Sequence, residues 1–377
     1  MHLTNRLACA VVLCLTVALN AHADWYAYFG VIDVLQRVRL DAHCDPELWS
    51  LTGCCGQNMA LVGKKMAIFS SSCHGAMMNS TDLCIPNKVS EIPIHGLQEA
   101  GEIYGLASDN ETLVLKGVLE KAPKDEWSII LLDLKTMTAK ASLDSPEAFL
   151  LANGRVLYFP PAENGNAYSC NLDGNDRRLE SVIAKGQEHF GVRDAFICEG
   201  KLCVLMTGDD MISVTHASTD ATAEPKEIVR VSGRFLCRVG RDVFYRSRKN
   251  DLCAVSLGEP TVIRTLANLY RSDLFTKMDT RTTAEQNDPN TEPRMAGGMN
   301  DIERAYPTPD GTKLLFFNAI SAQLPMEFCA FDVPSKTWSE VSMVDCGGLG
   351  NVFFVADPCE GDPVAPPISS AGTTQSR

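Results

Sequence analysis

Two stretches decide the fold: Asp310-Gly311-Thr312-Lys313-Leu314-Leu315-Phe316-Phe317, and the shorter Cys329-Ala330-Phe331-Asp332-Val333 that follows it. An Asp-Gly pair ahead of a run of strand formers reads as a tight hairpin turn, because glycine takes φ > 0 at no steric cost. The second stretch reads as another apolar strand, closed by an aspartate. Both halves recur. The turn-and-strand half returns as Asn153-Gly154-Arg155-Val156-Leu157-Tyr158-Phe159, as Glu199-Gly200-Lys201-Leu202-Cys203-Val204 and as Gly240-Arg241-Asp242-Val243-Phe244-Tyr245. The apolar-Asp half returns as Ile130-Leu131-Leu132-Asp133-Leu134, Tyr168-Ser169-Cys170-Asn171-Leu172, Asp82-Leu83-Cys84-Ile85-Pro86-Asn87 and Asp251-Leu252-Cys253-Ala254-Val255-Ser256. Cys84 and Cys253 read at the same register as Cys329, a position suited to a small buried hydrophobe.

The two ends of the chain complement one another. Phe29-Gly30-Val31-Ile32-Asp33-Val34 matches the second half of a unit, and Asn351-Val352-Phe353-Phe354-Val355 matches the first half. A unit shared in equal halves between the termini implies a closed ring, which is the logic of a β-propeller with radial four-stranded blades. The fold expected is therefore all-β, with units at 57–95, 102–143, 147–184, 192–231, 233–266 and 304–343, and a seventh made from 344–357 with 24–40. Setting aside a leader at 1–23, inserts at 41–56 and 267–303 and a disordered tail at 358–377 leaves about 40 residues for each of seven blades, close to common blade repeats. Six blades is the alternative.

Pro307-Thr308-Pro309-Asp310-Gly311-Thr312-Lys313-Leu314 resembles the Ser-Pro-Asp-Gly repeat of TolB-like propellers. Tyr168 to Arg178, with Asn171-Leu172-Asp173-Gly174, resembles the blade ends of YWTD-like exported propellers. The resemblance implies the fold, and brings no active-site residue with it.

The chain has 377 residues, 45% of them hydrophobic, and a net charge of −13. A large folded core is within reach, and a basic face able to displace counterions from a nucleic acid is not expected. Arg6, the apolar run Leu7–Leu19 and Ala21-His22-Ala23 ahead of Asp24 form the n-region, h-region and cleavage motif of a signal peptide. The apolar run is too short for a membrane span. The mature protein is read as exported, periplasmic or extracellular. Removing Cys9 and Cys14 with the leader leaves an odd number of the 15 cysteines, so at least one thiol stays unpaired within the chain. Disulfide candidates are Cys44, Cys54, Cys55 and Cys73 around the first insert, and Cys198 with Cys203 flanking a hairpin tip. A zinc-type cluster at Cys44, Cys54, Cys55, Cys73 and Cys84 is the other reading, although no C-x-x-C pair is present.

If strands are labelled A to D from the axis outward, D-to-A and B-to-C connections share one face. Both inserts and the long B-to-C loops fall there, and function concentrates on such loops. His43, His74, His95 and His189 map to this face and mark it as the ligand-binding side. TolB-like sugar-acid lyases hold a divalent metal with such residues, so a metal-assisted lyase or hydrolase acting on a carbohydrate-derived substrate is the alternative function. The reading preferred is a binding propeller that engages a protein or glycan, with no cofactor, no metal and no nucleic acid. A monomer is expected, because a closed ring leaves few free strand edges.

Overall fold

The computed structural model describes residues 25–31, 34–40, 46–51, 59–63, 66–70, 76–124, 126–161, 167–180, 182, 190–217, 225–269, 275, 277–279, 295–297, 304–318, 326–344 and 352–356. The expected leader and tail lie outside the described residues. Every regular element among those described is a β-strand, and apart from one small hairpin they form seven antiparallel sheets in a ring.

The first blade combines β1 (Trp25–Val31), β2 (Val34–Arg39) and β3 (Pro46–Leu51) with β31 (Val352–Ala356), in the order β3-β2-β1-β31. The second is β4 (Met59–Val62), β5 (Met66–Ser70), β6 (Met77–Asp82) and β7 (Val89–Pro93). The third is β8 (Leu97–Leu106), β9 (Thr112–Leu119), β10 (Ser128–Asp133) and β11 (Thr138–Leu143), and the fourth β12 (Ala148–Leu151), β13 (Arg155–Tyr158), β14 (Ala167–Asn171) and β15 (Arg178–Glu180). The fifth is β16 (Gly191–Cys198), β17 (Lys201–Gly208), β18 (Met211–His216) and β19 (Lys226–Ser232). The sixth is β20 (Arg234–Val239), β21 (Asp242–Arg246), β22 (Asp251–Ser256) and β23 (Glu259–Asn268). In the seventh, β26 (Ala305–Pro307), β27 (Lys313–Asn318) and β28 (Met326–Asp332) are followed by an outer edge made of two short pieces, β29 (Thr337–Trp338) and β30 (Ser342–Val344), which both pair with β28.

The closure differs from the equal halves expected. The N-terminal segment supplies strands B, C and D of the first blade, and the C-terminal segment supplies only the inner strand. Trp25 pairs with Ala356 and Phe29 with Val352 along the seam. The motif misassigned the strands because B and C are both buried on two faces and end in similar turns. The segment 41–56 is likewise not an insert throughout, since 46–51 forms β3. The register of Cys84 is corrected for the same reason: Asp82 ends its C strand opposite Met66, as Asp332 does opposite Lys313, so Cys84 lies in the following turn. Cys253 and Cys329 do occupy equivalent C-strand positions, opposite Tyr245 and Phe316, and both are buried.

The recurring aspartate has a defined task. At the C-to-D turns its Oδ1 accepts backbone amides two or three residues on: Cys84 for Asp82, Lys135 and Thr136 for Asp133, Ser335 for Asp332. Asn171 Oδ1 likewise accepts the amides of Asp173 and Asn175, two and four residues on. These Asx turns satisfy donors that no ladder reaches.

Apolar packing falls into seven clusters of described residues, one at each junction between consecutive blades. Alternation along one strand feeds two junctions. Leu314 and Phe316 pack toward the sixth blade, whereas Leu315 and Phe317 pack toward the first. That is why the central strands read as unbroken apolar runs instead of alternating ones. At the closing junction Phe29 meets Phe317 edge-on at 5.7 Å, and Trp25 Nε1 donates to Asp310 Oδ2 at 2.9 Å.

Candidate functional site

In a closed ring of antiparallel blades all inner strands run the same way, so their N-terminal ends rim one opening. The D-to-A and B-to-C connections surround that mouth. Its chemistry follows from what precedes or begins each inner strand.

On the side of the fifth to seventh blades the rim is basic. Arg193 lies near the start of β16, Arg234 begins β20, and Arg304 immediately precedes β26; all three are exposed. Arg193 Nε donates to Thr207 Oγ1 at 3.2 Å, and the Arg304 guanidinium lies 5.9 Å from the Tyr306 ring. The sixth blade adds more. Arg246 ends β21 directly opposite Arg234, and the turn that follows carries Arg248 and Lys249, both exposed. Ser247 holds that turn, its Oγ accepting the amides of Lys249 and Asp251, while Asn250 adopts φ 59°.

Gly233 explains how Arg234 comes so close to Arg246. Its φ is +149°, and a Cβ there would lie 2.3 Å from the Arg246 carbonyl oxygen and 2.7 Å from Tyr245 Cδ2. Only glycine fits such an approach. Its amide donates to Asp210 O at 2.8 Å, tying the start of β20 to the B-to-C turn of the fifth blade, where Asp209 and Asp210 are exposed.

Between the third and fourth blades the charge reverses. Tyr104 of β8 donates to the Pro146 carbonyl at 3.0 Å. Burial, then the neighbouring Glu102 and Glu147 carboxylates, push its hydroxyl pKa up to about 12. Deeper in the wall, Arg238 of β20 pairs with Asp194 of β16 and stacks 3.7 Å over Phe196, locking two inner strands together.

The insert 267–303 opens on the basic side. Leu269 and Phe275 are buried in the cluster between the sixth and seventh blades. Leu269 N–H donates to Asn250 O at 2.7 Å, and Asn268 Nδ2 to Asp251 Oδ1 at 2.8 Å. Within the insert β24 (Lys277–Asp279) and β25 (Met295–Gly297) pair as a hairpin.

The histidines are placed less simply. His43, His74 and His189 lie outside the described residues. His95 is exposed in a D-to-A connection, its N–H bonded to Met137 O at 2.8 Å and its backbone bridged to Thr138 at the start of the outermost strand of the third blade. It therefore sits two residues before the inner strand β8 begins, with its backbone also bridged to the outer strand of the same blade. Among the described residues no group of three or more His, Cys, Asp or Glu side chains is arranged to hold a metal ion.

Cys44, Cys54, Cys55 and Cys73 also lie outside the described residues. Cys198 and Cys203 are free thiols and do not face one another: the register pairs Cys198 with Lys201 and Cys203 with Phe196. Burial first, then Cys198, push the Cys203 thiol up to about 12. The arginine-rich rim escaped notice in the sequence because the whole chain is acidic. Its signal was local, the Arg246-Ser247-Arg248-Lys249 run after a blade's second strand.

No family model matches the chain, and no curated protein matches it by sequence. Solved structures do. AztD from Citrobacter koseri is similar at 10% identity over 88% of this chain and 98% of its own, with a TM-score of 0.49. The periplasmic gluconolactonase PpgL of Pseudomonas aeruginosa is 12% identical over 88% and 99%, with a TM-score of 0.43. The dihydro-heme d1 dehydrogenase NirN is 7% identical over 89% and 76%, with a TM-score of 0.47. These neighbours are β-propellers of mixed function.

Proposed function

We propose that this chain is an exported binding propeller that engages a protein or glycan ligand with the loops of its mouth. One observation carries the reading: the longest connection between blades is anchored at the mouth by buried Leu269 and Phe275, and it carries a hairpin of its own. A connection with no role in recognition would not need a docked base, since loop length alone costs little. Arginines at the starts of successive inner strands give the opening a chemical character that ring closure does not require.

The test compares the protein from residue 24 onward with a variant in which 277–297 is replaced by a short Gly-Ser linker. Both are applied to a glycan array and to a panel of purified extracytoplasmic proteins. Saturable binding that the linker variant loses, at an unchanged melting temperature, is the expected result. Equal binding by both proteins, or chemical conversion of a bound carbohydrate, would overturn the proposal.

A further inference from the structure

Building on that reading, we infer that the mouth-side end of the sixth blade is a binding site for an acidic polysaccharide, one bearing carboxylate or sulfate groups along a flexible chain. Four cationic residues meet on one blade end. Arg234 and Arg246 face each other across β20 and β21, and Arg248 and Lys249 project from the turn that follows. Like charges placed directly opposite on a sheet destabilise it, and the close approach enforced at Gly233 maintains the arrangement. Arg234 and Arg246 each hold an interaction within the fold, which fixes where they stand. Arg234, Arg248 and Lys249 are exposed, and Arg246 is half-buried.

The surroundings extend the patch along an arc. Arg193 precedes it on the fifth blade and Arg304 follows it on the seventh. The arm 267–303 leaves the body beside the basic turn, through the bonds from the Leu269 amide and the Asn268 side chain. Acidic groups also stand close: Asp209 and Asp210 on the preceding blade, and Asp251, which Asn268 engages. They limit the local field and favour a ligand that reaches several arginines at once over a single small anion. The protein as a whole carries a net charge of −13 and repels polyanions, so binding is confined to this arc. Guanidinium groups suit the task because their planar donors match carboxylate and sulfate oxygens. An extended carbohydrate chain fits an arc spread over three blades better than a compact ligand does.

Isothermal titration of the protein from residue 24 onward with polygalacturonate, heparin, neutral dextran and poly-L-glutamate tests this. Polygalacturonate or heparin should bind and dextran should not; which of the two is preferred separates carboxylate from sulfate recognition. Affinity should fall about tenfold in the double variant R248E/K249E, and steeply between 50 and 200 mM salt, as expected when several charged contacts are screened. Both substituted side chains are exposed, so the melting temperature should hold. Equal affinity in the double variant removes the site from this turn. Binding of poly-L-glutamate with neither polysaccharide overturns the ligand class in favour of an acidic protein, as would silence from every anionic probe. A neutral glycan bound by the parent protein and lost on arm replacement leaves the mouth-binding proposal standing while this inference fails.

Discussion

Phe354→Ala probes the seam of the ring. Phe354 belongs to β31, pairs with Ala27, and is buried with Phe29, Leu315, Phe317 and Phe328 between the seventh and first blades. Removing a buried phenyl ring costs about 3–5 kcal/mol, from lost transfer energy and the cavity left behind; the low end suits a residue at the rim of its cluster. With a urea dependence of about 3 kcal/mol per molar for a chain of this size, the unfolding midpoint should fall by about 1 M. The assay is urea unfolding followed in parallel by far-ultraviolet circular dichroism and tryptophan fluorescence; Trp25 reports locally because it pairs with Ala356 on the same strand. Both signals should move together, since the seam holds the ring as one unit. Val262→Ala, on an exposed outer-strand position, is the control and should shift the midpoint by less than about 0.2 M, the scale of an ordinary surface change. A Phe354→Ala midpoint within that same margin would refute the closure by a single C-terminal inner strand.

Gly233→Ala should destabilise by about 2–4 kcal/mol, because the new methyl meets the Arg246 carbonyl and the backbone is held at φ +149°; thermal unfolding measures it, and a neutral result removes the close approach. Burial tends to raise the Asp310 pKa, but the hydrogen bonds from Thr308, Thr312 and Trp25 outweigh it and leave the carboxyl below its ordinary value. A lowered folded-state pKa contributes stability above the unfolded value, near 4, and loses it as pH falls through the folded one. Asp310→Asn should therefore cost stability at pH 7 and lose less on acidification to pH 3 than the parent does; parallel pH profiles would contradict this. Iodoacetamide at pH 8 should modify half-exposed Cys198 well before Cys203 or Cys237, whose thiols burial pushes up; mass spectrometry of the labelled native protein reads the order, and equal rates at the three sites would count against their burial.

Blade boundaries were legible because each junction needs apolar side chains from both neighbouring blades, and each turn needs its own glycine or Asx residue. Asp310-Gly311 and Glu199-Gly200 were assigned to the correct hairpins for that reason. Strand identity at the seam was not legible. Phe29 and Phe328 both sit in buried central strands and meet in one cluster, so their local patterns are nearly the same although one lies on a B strand and the other on a C strand. Outer strands are harder still, as the seventh blade shows, where the edge is split into β29 and β30. Of the four histidines used to read the mouth, only His95 lies among the described residues, two positions ahead of β8. The arginine arc involves residues spread from 193 to 304, and only the ring order brings them onto neighbouring blades.

The single-strand seam also sets an order of events during biosynthesis. The first blade emerges with three strands and an unpaired inner edge on β1, and that edge must wait while more than 300 residues are made before β31 arrives. Throughout that interval β1 presents open amides and carbonyls to any passing strand, its own later blades included. A chain built this way depends on something shielding the edge until the last strand is released, so its yield in a cell should respond to holding chaperones far more than the finished ring's resistance to unfolding would suggest.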